Sequence, residues 1–195
     1  MLVVHENRGL NPHIEDIARR LALDNFMTFA PDALAAVGAY PGTEDKACEL
    51  FGTLDRAKTA EDMVAAANYL KNRPDCTGKI GVVGFCWGGS VSHTLATKMP
   101  DLAAAVPFYG GAPAPAEAAK VKAALLVQLA ETDPRVNDSF ATYEPALKEA
   151  GVRYEAHKYP GTSHGFNNDT TPRYDEKAAK LAWERTVAFF NKHLR

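Results

Sequence analysis

Short apolar runs rich in β-formers alternate with helix-like patterns along the whole chain, and this alternation constrains the fold more than any other feature of the sequence. Six runs are typical of strands: Leu2–Val4, Phe26–Ala30, Lys79–Val83, Ala103–Tyr109, Leu125–Leu129 and Tyr154–Tyr159. Alternating strands and helices are typical of βα units, whose strands pair in parallel. The sequence therefore predicts one α/β domain over residues 1–195, with a mostly parallel sheet of about six strands and helices on both faces.

Local signals mark several helix ends. Asn11 before Pro12 is a typical helix start, because the asparagine side chain can cap the helix and proline suits its first position. Apolar residues then recur at helical spacing on one face: Ile14, Ile17, Ala18 and Leu21. Thr59 is predicted to cap a second long helix, and Gly151 to follow the end of a later one.

Composition excludes several classes of function. The chain has 22 Lys and Arg against 24 Asp and Glu, a net charge of −2, which argues against nucleic acid as the main partner. No stretch approaches the roughly 18 consecutive apolar residues of a membrane span, and the N-terminus has no secretory leader pattern. These observations predict a protein that is soluble and cytoplasmic, with no membrane partner.

The first predicted strand, Leu2–Val4, is only three residues long. Strands are typically five or six residues, so the chain looks as if it begins partway through a domain. A sheet without its leading strands would expose an unpaired edge, which a second copy could cover. We therefore expect an N-terminally truncated domain that is able to form a homodimer through this edge.

The segment Gly84-Phe85-Cys86-Trp87-Gly88 has the pattern G-x-C-x-G at the end of an apolar strand and before a helix. In a nucleophile elbow the central residue sits on a strained turn, and small neighbours let the backbone segments approach closely. The helix dipole should favour the thiolate, so Cys86 is expected to be more acidic than a free cysteine. The alternative is a buried structural cysteine beside a tight turn.

The partners of a nucleophile in this arrangement are an acid and then a histidine, each after a strand. Asp133 follows the run Leu125–Leu129, and His164 follows the run Tyr154–Tyr159. Their joint placement predicts a Cys86, His164 and Asp133 triad, with Glu131 as a rival acid. The other five histidines lack this context and are predicted to be structural: His5, His13, His93, His157 and His193.

Metal and nucleotide sites are not supported by the motifs. A His5-Glu6 zinc motif would need histidine at position 9, which is Gly9. The three cysteines have no C-x-x-C spacing, so neither a structural zinc nor a disulfide framework is predicted. The glycines around Trp87 have the wrong spacing for a dinucleotide fingerprint. No metal or cofactor is expected.

The chain resembles the dienelactone hydrolase family, a cysteine-nucleophile branch of the α/β-hydrolase fold, over nearly its whole length. The matching landmarks are Val3-Val4-His5-Glu6-Asn7-Arg8-Gly9, Gly84-Phe85-Cys86-Trp87-Gly88-Gly89, Tyr109-Gly110-Gly111, Glu131-Thr132-Asp133 and His164-Gly165-Phe166. The resemblance implies Cys86 as nucleophile, His164 as base and Asp133 as the residue that orients the imidazole. Glu6 would match a carboxylate that keeps the thiol protonated until substrate displaces it; its alternative is an ion pair with Arg8.

An oxyanion hole is expected from two backbone N–H groups, those of Asn7 and Trp87, because this fold uses the residue after the nucleophile and one from an earlier loop. Members of the family that act on dienelactone bind its carboxylate with arginines, one shortly after the histidine. Here the first arginine after His164 is Arg173. The candidates to bind a substrate carboxylate are therefore Arg8, Arg135 and Arg173.

The resulting expectation is a hydrolase that cleaves a small ester or lactone through a thioester on Cys86, with no cofactor. Aromatic residues near the motifs suggest a partly apolar pocket, so Phe85, Trp87, Tyr109 and Phe166 join Arg8 as pocket candidates. The alternatives are a broad carboxylesterase or thioesterase, an inactive binding protein on the same fold, and a redox sensor that uses Cys86.

Overall fold

The computed structural model describes all residues, Met1–Arg195, around one sheet of five parallel strands. The strands lie in chain order, so that each pairs with the next: β1 (Leu2–Val4), β2 (Gly81–Phe85), β3 (Ala104–Phe108), β4 (Ala124–Ala130) and β5 (Tyr154–Tyr159). Because all five strands run the same way, their carboxyl ends lie along one edge of the sheet. The predicted parallel α/β architecture is confirmed.

Six α-helices connect and flank the strands: α1 (Pro12–Leu23), α2 (Glu44–Phe51), α3 (Arg56–Lys71), α4 (Trp87–Lys98), α5 (Pro134–Glu149) and α6 (Glu176–Leu194). Two short 3₁₀ helices cover 33–37 and 115–120. None of these helices combines the length and the apolar character needed to cross a membrane.

Two hydrophobic cores lie on opposite faces of the sheet. Successive strand residues point to opposite faces, so Val82 joins one core while Val83 and Phe85 join the other. The first core packs the sheet against α3, α4 and α5, and the second packs it against α1 and α6. Helices therefore cover both faces, as predicted.

The helix ends follow local chemistry. The Asn11 side chain accepts a hydrogen bond from the Ile14 N–H at 3.1 Å, which confirms the predicted cap of α1. The cap of α3 is Asp55 and not Thr59, because Asp55 accepts from two backbone N–H groups while the Thr59 hydroxyl bonds back to the Asp55 carbonyl. Gly151, at φ +66°, follows α5 in the left-handed conformation that the sequence predicted.

The predicted second strand, Phe26–Ala30, is not a strand of the sheet. It makes a single parallel bridge between Phe29 and Leu2, in which the Val3 N–H donates to the Phe29 carbonyl and the Phe29 N–H donates to the Met1 carbonyl. The three residues of β1 offer few pairing positions, and Pro31 has no N–H with which to continue. The sheet thus has five strands and not six, and Phe29 covers the edge of β1 that was expected to be free.

Candidate active site

Cys86 lies at the tight turn between β2 and α4. Its backbone has φ +56° and ψ −112°, a strained conformation for a residue other than glycine. The surrounding structure holds this turn, since the Cys86 N–H donates to the Phe108 carbonyl at 3.0 Å and the Cys86 carbonyl accepts from the Ser90 N–H. The strain presents the half-buried thiol at the first turn of α4, as the G-x-C-x-G pattern predicts.

Two glycines permit this turn. A Cβ on Gly84 would lie 1.9 Å from the Gly88 carbonyl oxygen, and a Cβ on Gly88 would lie 2.2 Å from the Val4 carbonyl oxygen. Any side chain at either position would meet backbone, which cannot move aside cheaply. The glycines therefore let the first turn of α4 pack directly against β1 and β2.

Asp133 and His164 form a hydrogen-bonded pair at the same edge of the sheet as Cys86. Asp133 follows β4, His164 lies in the loop after β5, and the distance from His164 Nδ1 to Asp133 Oδ2 is 2.5 Å. Asp133 is buried and the His164 side chain is about a quarter exposed. The carboxylate fixes the ring and its Nδ1 proton, so Nε2 is available as a base.

The rival acid makes a different contact. Glu131 is exposed, and its Oε2 accepts the Gly161 N–H at 2.8 Å. His5 is fully buried and held by backbone on both sides: Nδ1 donates to the Glu6 carbonyl, and Nε2 accepts from the Ala33 N–H at 2.9 Å. No three histidine, cysteine or acidic side chains lie together as a metal site would require.

Glu6 follows β1 and is brought beside Cys86 by the pairing of β1 with β2. Its carboxylate is buried, with Oε2 accepting from Asn168 Nδ2 at 2.9 Å and Oε1 facing the Tyr109 hydroxyl at 3.4 Å. It has no salt bridge to Arg8, which pairs instead with Glu44 at 3.2 Å. The alternative interpretation of Glu6 as a surface ion pair is therefore wrong.

The Cys86 thiol is less acidic than a free cysteine, which corrects the expectation from the helix dipole. Burial raises its pKa to about 11, with a further upward contribution from the negative charge of Glu6. The Trp87 N–H and the charges of Arg135 and Arg173 act in the opposite direction but are outweighed. Burial disfavours the thiolate more than one turn of helix favours it.

The two expected oxyanion-hole residues both lie beside Cys86. Asn7 and Trp87 line the same cavity as the thiol, and the Trp87 N–H is close enough to act on the sulfur. The Trp87 indole packs against His5 and Phe51, with ring centroids 5.2 and 5.0 Å apart. These contacts tie α2 to the first turn of α4.

The cavity at Cys86 has a volume of about 550 Å³ and opens to solvent. Arg56 and Arg135 lie at its wall and neither forms a salt bridge, in contrast to Arg8, which is paired. The sequence motifs missed Arg56, Ser90 and Thr94, along with the exposed Cys48. Ser90 and Thr94 follow Cys86 at intervals of four residues, so helical spacing could have found them.

The other pocket candidates lie elsewhere. Phe85 and Phe166 are fully buried in the hydrophobic core, where Phe85 packs on Phe108 and Phe166 on Tyr159. Tyr109 is also buried, and its ring lies 5.1 Å from the ring of His164. None of the three lines the cavity: Phe85 and Phe166 point into the core beneath the site, and the Tyr109 hydroxyl faces the buried Glu6 carboxylate.

Comparison with known proteins places this geometry in a family. The sequence model of the dienelactone hydrolase family matches residues 1–194. A relative from Saccharolobus solfataricus, named "Putative carboxymethylenebutenolidase", is 32% identical over 98% of this chain and 88% of its own length. A crystal structure from Klebsiella pneumoniae, named "Putative Dienelactone Hydrolase", matches with a TM-score of 0.85 and 28% identity, covering 98% of this chain and 86% of that one.

An esterase structure from Pyrobaculum calidifontis shares the fold alone, with a TM-score of 0.68 and 20% identity over 97% of this chain and 76% of that one. The family match and the solved structures agree with the parallel α/β sheet described above. The chain therefore belongs to the dienelactone hydrolase family and is a hydrolase of the α/β-hydrolase fold that acts on esters or lactones.

Proposed function

We propose that the protein cleaves its ester or lactone through a thioester on Cys86, with His164 as general base and Asp133 orienting the imidazole. The observation that supports this most is the 2.5 Å pair of His164 Nδ1 and Asp133 Oδ2, at the sheet edge where the strained turn presents the Cys86 thiol. A nucleophile, a base and an orienting acid on three neighbouring loops are the parts that acyl transfer requires.

In the first step the Cys86 thiol gives its proton to His164 Nε2, and the sulfur attacks the carbonyl carbon of the substrate. The C–S bond forms, the ester C–O bond breaks, and the alcohol leaves with the proton from His164. In the second step His164 takes a proton from water, the hydroxide attacks the thioester, and the C–S bond breaks. The acid product leaves and the thiol recovers its proton.

The developing oxyanion would be stabilised by the backbone N–H groups of Asn7 and Trp87. Each such donor contributes about 3 kcal/mol of transition-state stabilisation in enzymes of this type. The approach of the Trp87 N–H to the sulfur supports its part in this role. Glu6 would favour the protonated thiol until substrate binds, in keeping with the raised pKa of Cys86.

We further propose that the acyl part of the substrate bears an anionic group. Arg56 and Arg135 line the cavity beside Cys86 without a carboxylate partner, so both guanidinium groups are available to an anion. Arginine binds carboxylates through paired hydrogen bonds and keeps its charge at all relevant pH values.

Arg135→Gln is expected to raise KM for mono-p-nitrophenyl succinate about three- to tenfold, because one exposed charge contact contributes about 1 kcal/mol. The KM for neutral p-nitrophenyl acetate should change less than about twofold, because this ester has no charge for Arg135 to contact. Steady-state kinetics on the two esters, which share a leaving group, measure the difference. Arg153→Gln is the control, since Arg153 precedes β5 at the opposite edge of the sheet. Equal effects on both esters would contradict the anion proposal.

The covalent step is tested by mixing the protein with p-nitrophenyl acetate and quenching for intact and peptide mass spectrometry. We expect a burst of p-nitrophenolate and one acetyl group on the Cys86 peptide that turns over with time. In His164→Ala the burst should be slower, because the base that takes the thiol proton is missing, and any acetyl group that forms on Cys86 should persist, because no base activates water.

Cys48 provides an internal control for non-specific acylation, because it is an exposed thiol in the same cavity. Acetyl on the Cys48 peptide alone, or a Cys86→Ala variant that hydrolyses the ester at the original rate, would contradict the proposal. Thermal melting of each variant shows whether a loss of activity accompanies a loss of the fold.

A further inference from the structure

Asn168 is a buried residue that holds the Glu6 carboxylate. It is 2% exposed, and its Nδ2 donates to Glu6 Oε2 at 2.9 Å. The orientation of the amide is fixed from its other end, because Oδ1 accepts the Thr170 N–H at 3.0 Å and the Thr170 hydroxyl at 2.6 Å. With its oxygen occupied by two donors, the amide must present its NH₂ group to Glu6.

The partners of Glu6 are both neutral. Its carboxylate contacts the Asn168 amide and the Tyr109 hydroxyl, and no arginine, lysine or histidine lies within salt-bridge distance of it. A cation at position 168 would cancel the charge that Glu6 directs at Cys86. An amide stabilises the carboxylate by hydrogen bonding and leaves its negative charge in place.

We propose that Asn168 is a positioning residue that keeps the charged Glu6 carboxylate against the Cys86 thiol and so keeps the sulfur protonated in the resting protein. This inference rests on the proposed role of Cys86 as nucleophile. It adds a residue to which neither the sequence motifs nor the family resemblance assigns a role.

The position of Asn168 in the chain couples it to His164. The two residues are four positions apart in one turn, in which the Asn168 N–H donates to the Gly165 carbonyl at 2.9 Å and Phe166 is anchored in the core. The Phe166 carbonyl accepts the Asp175 N–H at 3.0 Å, which fixes the turn to the start of α6. One hydrogen-bonded loop therefore carries both the proposed base, His164, and the residue that holds Glu6.

Several charged or titratable groups lie close enough to Cys86 to act on its thiol. Glu6 comes from the loop after β1 and Tyr109 from the end of β3, while Arg135 lies at the start of α5 and Arg173 in the segment before α6. The arginines favour the thiolate, and Glu6 disfavours it. A change at Asn168 leaves the arginines in place, so its effect on the thiol isolates the contribution of Glu6.

The test is the rate at which iodoacetamide alkylates Cys86 between pH 7 and 9.5, followed on the Cys86 peptide by mass spectrometry. Asn168→Leu removes the donor at similar volume, so the Glu6 carboxylate loses the contact that holds it against the thiol. We expect alkylation at pH 8 to become about tenfold faster, since loss of the nearby negative charge lowers the thiol pKa and raises the thiolate fraction. Glu6→Gln should give the same increase. The exposed Cys48 peptide is the reference in every sample.

A double-mutant cycle separates action through Glu6 from a loosened loop. In a Glu6→Gln background, Asn168→Leu should add no further increase, because the charge it positions is already gone. A further increase in the alkylation rate of Cys86 in that background, or an equal increase in the alkylation rate of Cys48, would indicate local opening of the structure. Either result would overturn the proposal. An unchanged Cys86 rate in Asn168→Leu would overturn it as well.

Thr170→Val provides a milder variant in case Asn168→Leu does not fold. It removes one of the two groups that orient the amide and keeps the Asn168 donor, so a smaller increase in the same direction is expected. If Cys86 is alkylated at the rate of the original protein in both Thr170→Val and Glu6→Gln, the proposal is overturned. Alkylation tests the role of Asn168, and acylation tests the role of Cys86 as nucleophile. If the double-mutant cycle gives the expected alkylation rates but no acetyl group appears on Cys86, the proposed function is contradicted and the role of Asn168 is not.

Discussion

Replacing Asp133 with asparagine is expected to lower kcat for ester hydrolysis by about 10⁴-fold while leaving the fold intact. Asp133 Oδ2 lies 2.5 Å from His164 Nδ1, so the carboxylate accepts the Nδ1 proton and leaves Nε2 free as a base. The asparagine amide would donate to Nδ1, which puts the ring hydrogen on Nε2 and removes the base. Asp133 makes no capping hydrogen bond to α5, so the helix does not depend on this side chain.

Glu131→Gln is the matched control for this change. Glu131 is two residues away, is exposed, and accepts the Gly161 N–H, an interaction that the glutamine oxygen preserves. Its kcat on p-nitrophenyl acetate should stay within about twofold of the original, as for surface changes that break no buried contact. An Asp133→Asn variant that keeps its kcat, or an equal loss in Glu131→Gln, would contradict the role proposed for Asp133.

The relative placement of the candidate triad could be predicted from sequence because it depends on short-range patterns and one topological rule. Gly84 and Gly88 mark the turn at Cys86, and the runs before Asp133 and His164 are recognisable strands. Parallel strands put their carboxyl ends at one edge, so residues directly after them meet without any further information. The 2.5 Å contact of Asp133 with His164 agrees with that rule.

The acidity of Cys86 could not be predicted in this way. The helix dipole is a local effect that sequence reveals, and it favours the thiolate. Burial and the charge of Glu6 are long-range effects, produced when β1 pairs with β2 about 80 residues later. Asn168 belongs to the same class, since its contact with Glu6 joins residues 162 positions apart. Such contacts have no periodic signature.

The predictions of a strand at Phe26–Ala30 and of Phe85 in the pocket are wrong for different reasons. Phe26–Ala30 has strand propensity, but a strand forms only where a partner offers backbone groups, and β1 provides three residues. Phe85 is a pocket candidate only because it precedes Cys86, but it follows Val83 by two residues and therefore shares the face of β2 that packs into the core with α1 and α6. Nearness in sequence to the nucleophile was a weaker guide than the strand period.

Gly88→Ala is expected to lower the free energy of unfolding by about 3 kcal/mol or more. Its Cβ would lie 2.2 Å from the Val4 carbonyl oxygen and 2.6 Å from that of His5, and both contacts are with backbone. Alanine gains about 1 kcal/mol over glycine in helix propensity, which is too little to offset such a clash. The first turn of α4 must therefore move away from β1, or the fold must open. Urea denaturation followed by circular dichroism measures the loss.

Gly111→Ala is the matched control, because its Cβ would have ordinary contacts, the nearest being Ser90 Oγ at 3.5 Å. Gly111 has no positive φ, so alanine there reduces the entropy of the unfolded chain without strain and should leave stability equal or slightly higher.

The movement of α4 in Gly88→Ala also displaces the Trp87 N–H and the Cys86 thiol together. The p-nitrophenolate burst should then fall even in the folded fraction, and a variant with unchanged stability and burst would show that the α4 to β1 contact is not needed.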